Sequence, residues 1–296
     1  MIRQFGAFAI AAALPLQAQF SVGSGLVLIP ITVTDRRGAL VQGLERDSFT
    51  VLDNGRPQPV AFFTSEDLPC SVGLVVDASQ SVSRWLDREK AAVEAFLKAA
   101  SPDDDYFVAA VTSSPVVLPS PAADAHTAAQ RVRALRAGGW TALSDTIRVA
   151  VNMVRRSPRF CRAILVVSDG NDNHSRATQK ELIRYLIEAD VRVYTIGIEG
   201  TEPLRKGVRL AEEMRGNEFL RLIALNSGGL PLTLGDSDDP ATAGRKAAVA
   251  LHSRYIIGLR ADISGGGKWH RLRIKVKGSA VQVYARAGYR TVAGLQ

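Results

Sequence analysis

Two cysteines in 296 residues are too few for a disulfide-stapled scaffold or a four-cysteine zinc site. The four histidines include no pair four residues apart, which argues against a histidine-based metalloenzyme. No G-x-S-x-G elbow or H-E-x-x-H occurs, and Ser264–Lys268 (SGGGK) has the wrong spacing and context for a phosphate-cradling loop. Past the N-terminus no apolar run approaches the roughly 20 residues that span a bilayer, so an integral membrane protein is not expected. What is present is average for soluble globular chains: 46% apolar and 22% charged residues. The length suggests about two domains. The net charge is +8, with lysine and arginine scattered and densest in Lys268–Lys277. Alternation there places Lys268, His270, Arg271 and Arg273 at a strand edge, where charge prevents edge-to-edge pairing. No motif points to nucleic acid.

Residues 1–18 read as an address. Met1-Ile2-Arg3 is a short positive start, an uncharged and mostly apolar run covers Phe5 to Leu14, and Pro15-Leu16-Gln17-Ala18 follows. This is the pattern of a cleaved signal peptide, and it predicts an exported product, periplasmic or extracellular, able to hold a disulfide.

Three zones follow. Residues 19–66 read as strands: Leu26–Val33, Ser48–Leu52 and Val60–Phe63, with Asp53-Asn54-Gly55 as a hairpin turn. Residues 70–252 alternate short apolar strands with helical patterns. The strands are Val72–Val76, Tyr106–Thr112, Ala163–Val167, Val191–Ile196 and Pro231–Leu234; helices are expected near 84–100, 124–136, 142–156, 178–189, 208–226 and 240–252. Val116–Leu118 could add a short edge strand. Such alternation predicts a doubly wound α/β domain with a mainly parallel sheet. Residues 253–291 return to strands: Tyr255–Arg260, Trp269–Val276 and Ala280–Ala285. Neither flank has enough strands to be stable alone. The two flanks are therefore expected to pair into one small β-sandwich, with the α/β domain inserted between them.

Asp77-Ala78-Ser79-Gln80-Ser81 directly follows an apolar strand, and Ser168-Asp169-Gly170 follows another. In open α/β sheets ligands bind beyond the carboxyl ends of the strands. Gly138-Gly139-Trp140-Thr141 supplies a third polar loop. Asp77 and Asp169 with the hydroxyls of Ser79, Ser81 and Thr141 form an all-oxygen set suited to Mg²⁺, or to Mn²⁺ or Ca²⁺, and poorly to copper or zinc. Neutral hydroxyl ligands would leave the ion's positive charge incompletely neutralised, and an open coordination position could then take a carboxylate from a partner protein. Each piece also has an ordinary reading: Asp77 and Ser79 as caps of the next helix, Thr141 as an N-cap, and Asp169-Gly170 as a turn. Asp172 and His174 either line the rim or sit in a solvated loop.

The set resembles the metal-ion-dependent adhesion site of von Willebrand factor A domains, in which D-x-S-x-S is followed by a distant Thr and a distant Asp. DASQS, Thr141 in GGWTAL and Asp169 in SDGND match in order and context. The resemblance implies that Ser79, Ser81 and Thr141 coordinate directly and that Asp77 and Asp169 act largely through water. It implies a binding module for a protein ligand offering an acidic side chain, not an enzyme. The flanks, ITVTDRRGALVQGLERDSFTVLDNGRPQPVAFF and SRYIIGL, GGGKWHRLRIKVK and ARAGYR, resemble secreted bacterial VWFA-related proteins of acidobacterial type. Two departures are bulky Trp140 and the presence of Ser144 where an aromatic residue is frequent. Two rivals remain open: a Mg²⁺-dependent phosphoester hydrolase, for which Ser79 stands where a second acid is usual, and a metal-free structural protein of the envelope.

Cys70 lies seven residues before Asp77 and Cys161 eight before Asp169. If those strands are parallel neighbours, both cysteines sit at the opposite edge, about 4.8 Å apart. That separation is within the Cα range of a disulfide, so a Cys70–Cys161 bridge is expected.

Overall fold

The computed structural model describes residues 26–118, 124–199, 208–260, 267–278 and 280–291. Residues 1–18, where a signal peptide is expected, and most of the Ser264–Lys268 stretch lie outside the described residues. In chain order the elements are β1 (Leu26–Asp35), β2 (Phe49–Asp53), β3 (Arg56–Gln58), β4 (Phe62–Thr64), β5 (Cys70–Asp77), α1 (Leu86–Ala99), β6 (Asp105–Val111), β7 (Val116–Val117), α2 (Ala125–Ala134), α3 (Leu143–Val154), β8 (Cys161–Ser168), α4 (Gln179–Ala189), β9 (Arg192–Ile198), α5 (Val208–Ser227), β10 (Pro231–Leu234), α6 (Pro240–His252), β11 (Tyr255–Arg260), β12 (Trp269–Val276), β13 (Val281–Tyr284) and β14 (Gly288–Arg290).

Unbroken apolar runs make the central sheet, because a strand covered on both faces has no polar side to show. β5 is buried at every position. Its even-numbered Val72, Leu74 and Val76 pack with Ala92, Val93 and Phe96 of α1 and with α2 and α6. Val75 points the other way, into a core with Leu143 and Ile147 of α3, Leu182 of α4 and Phe219 of α5. The sheet order is β10-β9-β8-β5-β6-β7. All neighbours are parallel except the short edge strand β7, which is antiparallel to β6. After β5 the chain steps to β6 on one side and returns to β8 on the other, so the order reverses around β5. That reversal opens a crevice at the carboxyl ends of β5 and β8.

The flanking zones form two extra antiparallel sheets, ordered β13-β1-β11-β4 and β14-β12-β2-β3. β1 pairs with β11 over Leu26–Ile31 and with β13 over Thr32–Asp35, while β2 pairs with β12. Each sheet therefore takes strands from both ends of the chain. Ile29, Ile31, Phe49, Val51, Tyr255 and Ile257 close a core between them. The turn between β2 and β3 has Asn54 at φ 49° and Gly55 at φ 82°, the paired positive values that a two-residue hairpin of this twist needs.

The structure differs from the sequence expectation at β12. That strand lies between β14 and β2 rather than at an edge. Its exposed positions are Trp269, Arg271, Arg273 and Lys275. His270 turns inward, with its Nδ1 2.9 Å from Asp53 and its ring stacked on Tyr289. The basic residues thus cover the outer face of an inner strand. Two short strands, β3 and β14, have no counterpart in the sequence reading; three residues are too few to show alternation.

Cys70 and Cys161 are register partners on β5 and β8 and are joined by a disulfide, with Cα atoms 4.5 Å apart. Two buried arginines flank it. Arg254 donates to Cys70 Sγ at 3.6 Å and Arg192 to Cys161 Sγ at 3.4 Å. Asp104 and His252 lie close to Cys70, but the bridge already engages that sulfur.

Candidate metal centre

At the carboxyl end of the sheet three loops meet. Asp77 ends β5, and its side chain is fully buried. Its Oδ1 accepts the Ser79 backbone N–H at 3.0 Å and its Oδ2 accepts the Ser168 hydroxyl at 2.6 Å. The chain then makes a single turn of 3-10 helix at Gln80–Val82. That turn brings the hydroxyls of Ser79 and Ser81 to 2.9 Å from each other, one buried and the other exposed.

The Thr141 loop is tied to this one through its backbone. Gly138 N–H donates to Ala78 O at 2.8 Å and Gln80 N–H to Gly139 O at 3.0 Å. Gly139 has φ 78°, and a Cβ there would meet Ser113 Oγ at 2.6 Å; only glycine suits both demands. Thr141 is held from the third loop as well. Its N–H donates to Asn173 Oδ1 at 2.9 Å, and its carbonyl accepts from the N–H groups of Asn173 and His174.

Asp169 leaves β8 and turns at Gly170, with Asn171 N–H on its Oδ1 at 2.9 Å. α5 approaches this turn closely: a Cβ on Gly216 would lie 2.3 Å from Asp169 O. The five residues therefore converge on one end of the sheet, graded from buried Asp77, Ser79 and Thr141 through half-buried Asp169 to exposed Ser81.

The ordinary capping roles are not the ones these side chains take. α1 begins after Trp85 with no side-chain cap, and α3 begins after Ala142, also uncapped by its own N-cap side chain. Instead Asp172 Oδ2 accepts the Ser144 N–H at 2.8 Å and its Oδ1 that of Ser175 at 3.2 Å. Asp172 thus organises the start of α3. His174 is at the rim, its ring stacked at 6.3 Å against Trp140, which is 61% exposed. The positioning role of Asn173 was not legible in the sequence, because a side-chain bond to a residue 32 positions away has no local signature.

The electrostatics are those of an acidic site short of positive charge. Burial, reinforced by the charge of Asp169, raises the Asp77 pKa to about 6, against the hydrogen bonds from Ser168 and Ser79. A second buried acid, Glu89 on α1, was not foreseen. Neither of its carboxyl oxygens has a hydrogen-bond partner among the described residues. Burial, and then the charges of Asp77 and Asp169, raise its pKa well above the usual value. Such groups are costly unless paired or bound to a metal. The all-oxygen donors, the buried carboxylate of Asp77 and the unpartnered oxygens of Glu89 and Ser144 fit a hard divalent cation.

A mainly parallel sheet, helices on both faces and a site at the reversal of strand order define the α/β fold of von Willebrand factor type A domains. Residues 72–171 match the family model for the von Willebrand factor type A domain. Among solved structures, a von Willebrand factor type A protein from Catenulispora acidiphila is similar over 90% of this chain and 74% of its own, at 14% identity and a TM-score of 0.51. An aerotolerance-related membrane protein from Bacteroides fragilis is similar over 62% of this chain and 98% of its own, at 16% identity and TM-score 0.49. Proximal thread matrix protein 1 from the mussel byssus, with a zinc-occupied MIDAS motif, is similar over 67% of this chain and 48% of its own, at 15% identity and TM-score 0.49. A comparison with curated proteins finds no match.

Proposed function

We propose that the protein is an exported binding module that captures a protein ligand through a divalent cation held by Asp77, Ser79, Ser81, Thr141 and Asp169. The observation that carries this is the convergence of three hydrogen-bonded loops on an oxygen-rich site whose deepest carboxylate has no cationic partner among the described residues. The hydroxyls of Ser79, Ser81 and Thr141 would hold Mg²⁺, Mn²⁺ or Ca²⁺ directly, with Asp77 and Asp169 receiving hydrogen bonds from its waters. When bound, the cation would supply an electrophilic position open to an acidic side chain. Trp140, exposed beside Thr141, would give that ligand an apolar contact.

The same reading assigns residues 1–18 to a cleaved signal peptide, 70–252 to the metal-binding domain, and 19–66 with 253–291 to a supporting β unit. It places the chain with the secreted bacterial VWFA-related proteins, on the strength of the flanking sequences. Among the described residues no helix is long and apolar enough to cross a membrane. The hydroxyl pair has no imidazole bonded to it: His126 bonds Gln130, His174 stacks on Trp140, His252 lies between Asp67 and Asp104, and His270 bonds Asp53. This favours binding over hydrolysis.

The test is capture from an envelope extract with Mg²⁺ and with EDTA, comparing the natural protein with Asp77→Ala. A ligand retained by the natural protein only with Mg²⁺, and lost in the variant, supports the reading. Equal capture by Asp77→Ala in EDTA refutes it, and Mg²⁺-dependent turnover of a phosphate monoester would favour the hydrolase.

A further inference from the structure

Glu89 is the least explained charge in the molecule. It lies on the inward stripe of α1 formed by Leu86, Glu89, Ala92, Val93 and Phe96, all buried. The last three pack against Val72, Leu74 and Val76 of β5. In a parallel strand–helix–strand crossover the helix runs back along the sheet, so its first turn sits beside the carboxyl end of the preceding strand. Glu89, in the first turn, therefore stands at the Asp77 end, where an apolar residue would serve packing better. Its exposure is 0%, and both carboxyl oxygens lack partners among the described residues. An acid in that state needs a proton, a water or a cation. The charges that bear on it among the described residues are those of Asp77 and Asp169.

We infer that Glu89 is a positioning residue of the cation site, its carboxylate accepting hydrogen bonds from waters of the bound ion and so holding the ion from the α1 side. This rests on the cation reading above and adds to it a residue outside the D-x-S-x-S, Thr and Asp pattern. Two aspartates alone neutralise a divalent ion. A third buried acid on the α1 side would add hydrogen-bond acceptors for the ion's waters, so that the site retains the ion before any acidic ligand arrives. A ligand would then reach the ion from the outer side, where Trp140 is exposed, with the protein's own acid on the α1 side.

The test uses the full mature chain and Mg²⁺ alone, by titration calorimetry and by thermal melts with and without the ion. The variants are Glu89→Gln, Glu89→Met and, as reference, Asp77→Ala. Outer partners of metal ligands typically contribute 10- to 100-fold in affinity. Both Glu89 variants are therefore expected to bind Mg²⁺ about tenfold or more weakly, and to lose most of the melting shift the ion gives the natural protein. Glu89→Met should also melt higher than the natural protein without metal, since it removes an unpartnered buried carboxyl. That rise alone would be compatible with a merely structural acid, so the Mg²⁺ affinity decides. Natural-like affinity in folded Glu89→Gln and Glu89→Met, with loss in Asp77→Ala, overturns the role of Glu89 and leaves the cation site standing. No binding of Mg²⁺, Mn²⁺ or Ca²⁺ by the natural protein overturns both.

Discussion

Buried charge is concentrated at the two ends of the central sheet, acidic at the carboxyl end and mixed at the amino end, where Asp104 lies beside the buried arginines. At the carboxyl end stand Asp77 and Glu89. At the amino end Arg192 and Arg254 flank the disulfide. Burial, and then repulsion from Arg192, lowers the Arg254 pKa to about 10. Nearby, His252 bridges Asp67 at 2.8 Å and Asp104 at 2.9 Å. Burial works against its charged form, but the hydrogen bonds and charges of Asp104 and Asp67 outweigh it, and its pKa is raised above 6.5. A histidine pKa raised by folding stabilises the protein most fully below the unfolded value, and that contribution is lost as pH rises through the folded value. Denaturant unfolding measured from pH 5 to pH 9 should therefore show a loss of stability above about pH 6.5. His252→Gln should be less stable than the natural protein at pH 5, with the gap closing toward pH 9. A gap independent of pH would show that the bridge carries no charge. At this scale the sequence was a good guide to where Asp77, Ser79, Ser81, Thr141 and Asp169 lie, because each follows a strand end or sits in a glycine-bearing loop; that they hold a cation is the proposal made above. It was no guide to Glu89, since one acid in the charged stretch LDREKAAVEAF reads as a solvated face until the helix phase is known.

Among the elements, α5 bears most directly on the site. Gly170 and Gly216 touch backbone to backbone: a Cβ on Gly170 would meet Gly216 O at 2.2 Å, and one on Gly216 would meet Asp169 O at 2.3 Å. The helix therefore acts as a backstop for the Asp169 turn. Gly216→Ala is expected to push the two apart and to destabilise the fold by about 1–3 kcal/mol, as overpacking does. If the helix sets the position of Asp169, the same variant should also weaken Mg²⁺ binding in calorimetry. Intact stability and affinity would mean that α5 yields without consequence. The strand–helix alternation itself was legible, because continuous apolar runs such as Leu74–Val76 and Ile164–Val167 leave no other placement than between two helical layers. The short strands β3 and β14 and the inner place of β12 were not. A strand's neighbours are chosen by hydrogen bonds to distant segments, and β12 shows the same alternating residues whether it is inside or at an edge.

On the scale of the whole molecule, the chain leaves one pair of sheets, builds the α/β layer and returns to complete the pair. Long-range ties secure this path: the pairing of β1 with β11 and β13, of β4 with β11 and of β2 with β12, and the disulfide across β5 and β8. The bridge joins residues 91 apart, and the loop-entropy account gives a closure of that length about 4–5 kcal/mol of stabilisation. Cys70→Ser with Cys161→Ser is expected to lower the unfolding free energy by a similar amount, measured in urea against the natural oxidised protein. Two free thiols in the native protein under non-reducing mass spectrometry would contradict the bridge. Strand neighbourhood and residue count sufficed to pair the cysteines, because parallel register places residues at equal distances from the strand ends side by side. Local order along the chain likewise sufficed for the fold class and for placing Asp77, Ser79, Ser81, Thr141 and Asp169 in the loops that end the strands, since patterning and turn chemistry act over a few residues. Folding was needed to bury Glu89 on the α1 side of the sheet and to bring Asn173 onto Thr141 and Gly216 against Asp169. Those contacts join separate loops and helices, and only packing of the whole chain sets their distances and removes them from water.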